Sequence, residues 1–145
     1  MSLYSPGSMV TVHKSITFTG AAGLGLAGTA VPMFTVTGEV LIVAIVGVCT
    51  VDLTEAAPTA TIALGVTGNT ALFIAATTST GVDAGEFWVS TTPTANGIAL
   101  PAAVKDVAIT DDVVITPATQ NTNGGSIRLD VVYIPLSVDG SVVAA

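Results

Sequence analysis

Residues 40–49, VLIVAIVGVC, run for ten positions with no charge, between Glu39 and Thr50. This run constrains the fold more than any other stretch. A helix that crosses a bilayer needs about 18 or more consecutive apolar residues, so the run is too short to span as a helix. Its residues are mostly β-branched or Leu, which favour a pleated, buried surface. As a strand it would extend about 33 Å. Strict alternation sends Leu41, Val43, Ile45 and Gly47 to one face and Val40, Ile42, Ala44, Val46 and Val48 to the other. Both faces are apolar, so both need cover. One face is expected to serve the core. The other, carrying Val40, Ile42, Ala44, Val46 and Val48, is expected to meet a neighbouring subunit or an overlying loop such as 91–104.

The rest of the 145 residues agrees with an all-β chain. Val, Thr and Ala each occur more than twenty times, and Glu, Lys, Gln and Arg are scarce. Seven Phe, Trp and Tyr residues are too few for the two aromatic girdles of a spanning barrel. The opening MSLYSPGSMVTVHKS lacks a basic region followed by an apolar core, so no secretory signal is read there. One cysteine, Cys49, excludes an internal disulfide and reads as a small buried hydrophobe. Ten acids against three bases give a net charge of −7, and Lys14, Lys105 and Arg128 are dispersed. A nucleic-acid partner is therefore not expected, because phosphate binding needs clustered cations. Only 9% of residues are charged, against about a quarter in ordinary soluble domains. A chain this poor in charge is expected to hide surface against a partner.

The pattern predicts about eight strands in one antiparallel sandwich, jelly roll or barrel, spanning 15–145 behind an extended arm at 1–14. Strands are expected at 15–19, 33–37, 40–49, 60–67, 70–79, 87–90, 107–116 and 126–134. Gly68-Asn69 is the best hairpin signal. In the last strand Ile127, Leu129, Val131 and Tyr133 share one face, and Ser126, Arg128 and Asp130 the other.

No catalytic constellation emerges. His13 is the single histidine and lies in the expected arm, where nothing holds a general base firmly. One His and one Cys cannot fill a tetrahedral zinc site. Asp111 and Asp112 are neighbours that a strand would send to opposite faces, too divergent for a glycosidase pair. Asp111 would then point inward unless a bulge or turn re-aims it. The alternatives are a solvated kink, a calcium ligand, or an inter-subunit salt bridge to Arg128. DAGE, residues 83–86, offers two oxygen ligands to calcium but lacks the spacing of a calcium loop. GLGLAG, residues 23–28, matches G-x-G-x-x-G, yet a strand rather than a helix follows, so it reads as a surface loop. Tyr4, Trp88 and Tyr133 are the candidates for a sugar-stacking platform. No cofactor or metal is expected.

Three stretches carry a family resemblance: SITFTGAAGLG (15–25), MFTVTGEVLIVAIVGVCTVDL (33–53) and VVYIPLSVDGSVVAA (131–145). The chain resembles small proteins encoded near the major capsid protein in tailed bacteriophages, some of them head decoration (cement) proteins. The resemblance implies a non-enzymatic virion protein, made in the bacterial host cytoplasm. It implies binding to the outside of an assembled head, with the major capsid protein and its own copies, as a trimer, for partners. A head-fibre or tail module that binds a receptor or glycan is the alternative. The candidate interface residues are Val40, Ile42, Ala44, Val46 and Val48, with Tyr4 and His13 from the arm.

Overall fold

The computed structural model of the chain describes residues 9–145. Among these residues, eleven strands form two antiparallel sheets that face one another without closing into a barrel. They are β1 (Val10–Thr17), β2 (Val31–Thr37), β3 (Val40–Glu55), β4 (Thr61–Val66), β5 (Asn69–Thr78), β6 (Glu86–Trp88), β7 (Thr94–Ala95), β8 (Lys105–Ile109), β9 (Val113–Ala118), β10 (Thr122–Pro135) and β11 (Ser141–Ala144). The first sheet runs β1-β10-β3-β6-β7, and β8 pairs with β3 as well. The second runs β11-β2-β9-β4-β5. No helix among the described residues is long and apolar enough to cross a membrane.

β3 is the spine of the first sheet. One edge pairs with β10 along most of its length, and the other takes β8 at residues 40–44 and then β6 at 47–48. The run that opened the sequence reading is the first ten residues of this strand. Gly47 sits in it for a steric reason: a Cβ there would lie 2.7 Å from the Trp88 carbonyl oxygen and 3.3 Å from the indole. Glycine therefore lets Trp88 approach β3 closely. Trp88 is fully buried, and its Nε1–H donates to Thr77 Oγ1 at 3.0 Å, so the indole's one polar atom is satisfied.

The face of β10 expected to be buried is buried: Ile127, Leu129, Val131 and Tyr133 all join the core. From the second sheet the core receives Val31, Phe34, Ile62, Leu64, Ile74, Val113 and Ile115. At one open edge β1 lies beside β11, and Lys14 bridges the gap. Its Nζ donates to the backbone oxygens of Pro32 (2.8 Å) and Ala145 (2.7 Å). At the other edge a 3-10 turn, Ala102–Val104, buries Val104 completely.

Several boundaries differ from expectation. The arm was expected to reach residue 14, but Val10–Lys14 form the first part of β1, paired with Leu129–Tyr133. The expected strand 107–116 is two strands in different sheets, joined by a turn at Thr110–Asp112. That turn exposes both carboxylates, so Asp111 is not an inward charge. The β4–β5 hairpin turns at Thr67-Gly68, because Asn69 already pairs with Val66.

Candidate interaction surface

The outer face of the first sheet holds most of the residues singled out from sequence. Cross-strand register assembles them into rows. Thr11, Val132, Ala44 and Lys105 form one row. His13, Asp130 and Val46 form the next. Ser15, Arg128, Val48 and Phe87 form the third. Ala44, Val46 and Val48 are half-buried, and His13 is exposed.

Val40 and Ile42 do not belong to this face. Both are fully buried in the core. The reason is a bulge. Tyr133 pairs with Ile42 and Val132 with Ala44, which leaves Val43 as an extra residue on β3. Beyond it the alternation changes phase, so the core side reads Val40, Ile42, Ile45, Gly47, Cys49. The interface set expected from strict alternation is therefore two core residues and three outer ones. Tyr4 lies outside the described residues. Ile98 and Leu100, from the loop before β8, pack against the core, as Val46 also does.

Charge on this face is largely self-contained. Arg128 Nε donates to both carboxylate oxygens of Asp130 at 3.1 Å. Both side chains are about 40% exposed, at 41% and 37%, so the pair contributes only about 0–1 kcal/mol. Arg128 thus has an intrachain partner two residues away, not Asp111.

The second sheet is different in kind. None of its five strands contains Asp, Glu, Lys, Arg or His. Its exposed positions are uncharged, among them Pro32, Thr35, Thr37, Ala71 and the 53%-exposed Val143. Sequence reading noticed the low charge of the whole chain. It did not see that topology would gather the charge-free segments into one sheet.

The remaining chemical candidates fall into structural roles. Cys49 is buried, and its Sγ–H donates to the Val51 carbonyl at 3.1 Å. Burial pushes the thiol pKa from 9.0 up to about 11, with nearby Asp52, Asp83 and Glu86 adding to the rise. A thiol in that range is neutral at ordinary pH and a poor nucleophile. In DAGE, the Glu86 carboxylate accepts the Asp83 amide, while Asp52 accepts the Ala84 amide. The carboxylates there cap turn amides. Trp88 and Tyr133 are in the core, which removes two of the three aromatics from the sugar platform. The glycine-rich loop is pinned to its neighbours: Gly28 N–H donates to Pro117 O and Thr122 N–H to Gly25 O.

The PLSVDG stretch, residues 135–140, forms a turn-on-turn clasp with the β2–β3 turn. Ser137 Oγ accepts the Glu39 amide at 2.9 Å and donates to Asp139 Oδ1 at 2.8 Å. Gly38, with φ +64°, passes beneath, where a Cβ would collide with Ser137 Oγ and Asp139 Oδ1.

No protein-family description and no curated protein matches the chain. A solved structure described as "Cyanophage Pam1 capsid asymmetric unit" aligns over 92% of this chain and 93% of that one, at 21% identity and a TM-score of 0.45. That score is too low to establish a shared fold.

Proposed function

We propose that the chain is a virion structural protein that decorates the outer surface of an assembled phage head and stabilises it, acting as a homotrimer. The observation that carries this reading is the line of Ala44, Val46 and Val48 on a sheet face where Arg128 and Asp130 neutralise each other and Lys105 stands at the β8 edge. Such a face meets a protein partner at little electrostatic cost. The charge-free second sheet supports the reading, because charged residues are depleted where interfaces are fully desolvated. His13 and Cys49, the two classical nucleophile or base candidates, lie on opposite faces of the first sheet, one exposed and one buried. They cannot act as a pair. The sequence resemblance points the same way.

The mechanism needs no chemistry. A clamp that binds the assembled shell and not its dissociated subunits adds its binding free energy to the shell, about 2.7 kcal/mol per site at a free concentration of 100 times Kd. The outer face of the first sheet is assigned to contacts between copies. Residues 1–8 are assigned to docking on a neighbour.

The test has two arms. Sedimentation should give a particle of about three times the 14.3 kDa chain mass, and the protein should bind empty expanded heads. Val46→Lys should dissociate the oligomer while the monomer stays folded. A stable monomer with no affinity for heads refutes the role; an intact Val46→Lys trimer refutes this face as its interface.

A further inference from the structure

A cleft of about 260 Å³ opens at the end of the sandwich where three turns meet. Val66 and Leu72 line it from the second sheet. Ile109 lines it from the end of β8, and Leu136 from the loop after β10. Glu39, in the β2–β3 turn, and Asp111, in the turn between β8 and β9, add two carboxylates to this apolar lining.

The backbones that carry the two acids are fixed. Glu39 N–H donates to Ser137 Oγ, and its carbonyl accepts the amides of Leu136 (2.9 Å) and Ser137 (3.2 Å). Next to Asp111, Asp112 accepts the Val36 amide on Oδ1 at 2.8 Å and the Thr67 amide on its carbonyl at 3.1 Å. The Glu39 and Asp111 carboxylates themselves make no hydrogen bond or ion pair among the described residues. The chain's own cations are committed or distant. Lys14 is held by Pro32 and Ala145, Arg128 by Asp130, and Lys105 begins β8 at the end away from the cleft.

These features specify an occupant. Two carboxylates on anchored turns over apolar walls match a cation on an aliphatic stem, which keeps its stem on apolar surface and its head in water. The volume is below the roughly 300–1,000 Å³ of small-molecule sites and suits one long side chain. A calcium ion would need six to eight oxygen ligands, more than two carboxylates in an apolar cleft supply. We propose that the cleft receives a single lysine or arginine side chain presented by a partner protein, complementing a chain of net charge −7. This deepens the decoration role and rests on it only for the identity of the partner.

The experiment is an amide chemical-shift titration of the whole protein with two probes, acetyl-Ala-Lys-Ala-amide and its Gln counterpart. The Lys peptide should move the amides of Glu39, Thr110, Asp111 and Leu136, and the Gln peptide should not. In the double variant Glu39→Gln/Asp111→Asn, with an otherwise superimposable spectrum, the Lys peptide should bind about tenfold more weakly. Equal response to both peptides, shifts confined elsewhere, no response, or unchanged affinity in the double variant each overturns the cleft. Concentration-dependent shifts of the same amides without peptide, abolished by Lys105→Ala, would assign the cleft to a second copy and also overturn it. Head binding by the unaltered protein decides the decoration role separately from the peptide result.

Discussion

The bulge at Val43 makes a sharp claim about β3: Ile42 and Ile45, three residues apart, face the same way, and Val46 faces the other. Replacing each isoleucine with alanine tests it. Both are fully buried and lose the same three carbons. Deleting that much from a closed core costs about 2–5 kcal/mol. Each site is packed between two sheets with little room to collapse, which favours a value of about 3–4 kcal/mol. For a chain of this length that corresponds to a fall in Tm of roughly 10 °C. Val46→Lys, on the half-buried outer face, should cost less than about 1 kcal/mol in the monomer, because the ammonium reaches water along its stem. Urea titrations at low protein concentration measure all three, and fluorescence of the buried Trp88 reports unfolding. The reasoning fails if Ile45→Ala costs under 1 kcal/mol while Val46→Lys costs 3 or more. That pattern would mean the strand keeps strict alternation through residue 43.

Three further outcomes follow from local geometry. Burial pushes the Cys49 thiol in the folded chain from its ordinary 9.0 up to about 11. Its neutral form is favoured by folding, so its contribution is complete below pH 9 and declines by about 1.4 kcal/mol per pH unit between 9 and 11. Urea midpoints at pH 7, 9 and 10.5 should converge for wild type and Cys49→Ala as pH rises; parallel curves would refute the burial argument. Gly38→Ala puts a Cβ against Ser137 and Asp139 at a left-handed φ, and should cost about 2–3 kcal/mol in the same assay. An effect below 0.5 kcal/mol would show that the clasp yields freely. Lys14→Met keeps the stem but removes the donor to Pro32 and Ala145. It should cost about 1 kcal/mol and speed hydrogen exchange in β11; unchanged exchange would refute the bridge.

Period and composition made the architecture legible. β10 shows why: its polar residues alternate with Ile127, Leu129, Val131 and Tyr133, so only one phase fits. β3 lacks that information. Every residue from 40 to 49 is apolar, so a one-residue bulge changes which side chains are buried without leaving a mark in the pattern. The start of β1 was hidden by Lys14, which occupies the inward phase between Val12 and Ile16; a cation there reads as an end of pattern until its carbonyl partners are seen. The Asp-Asp pair at 111–112 did carry a signal for the turn that splits two strands. The cleft was not legible at all, since Glu39, Val66, Leu72, Ile109, Asp111 and Leu136 come from separate segments that only the topology joins.

The pairing of β1 with β10 has a consequence in time. Thr17 finds its partner at Ser126 and Val10 at Tyr133, so more than a hundred residues separate the two strands. Synthesis at about 5–20 residues per second leaves β1 without its neighbour for roughly 6–23 s. β2 waits comparably for β11, whose partners Phe34–Thr37 precede it by a similar distance. Neither sheet is complete until nearly all of the sequence has emerged. The β4–β5 hairpin, which pairs sequence neighbours, can close long before that, and contacts as distant as β1–β10 place the folding rate in the slow, millisecond-to-second range of all-β chains.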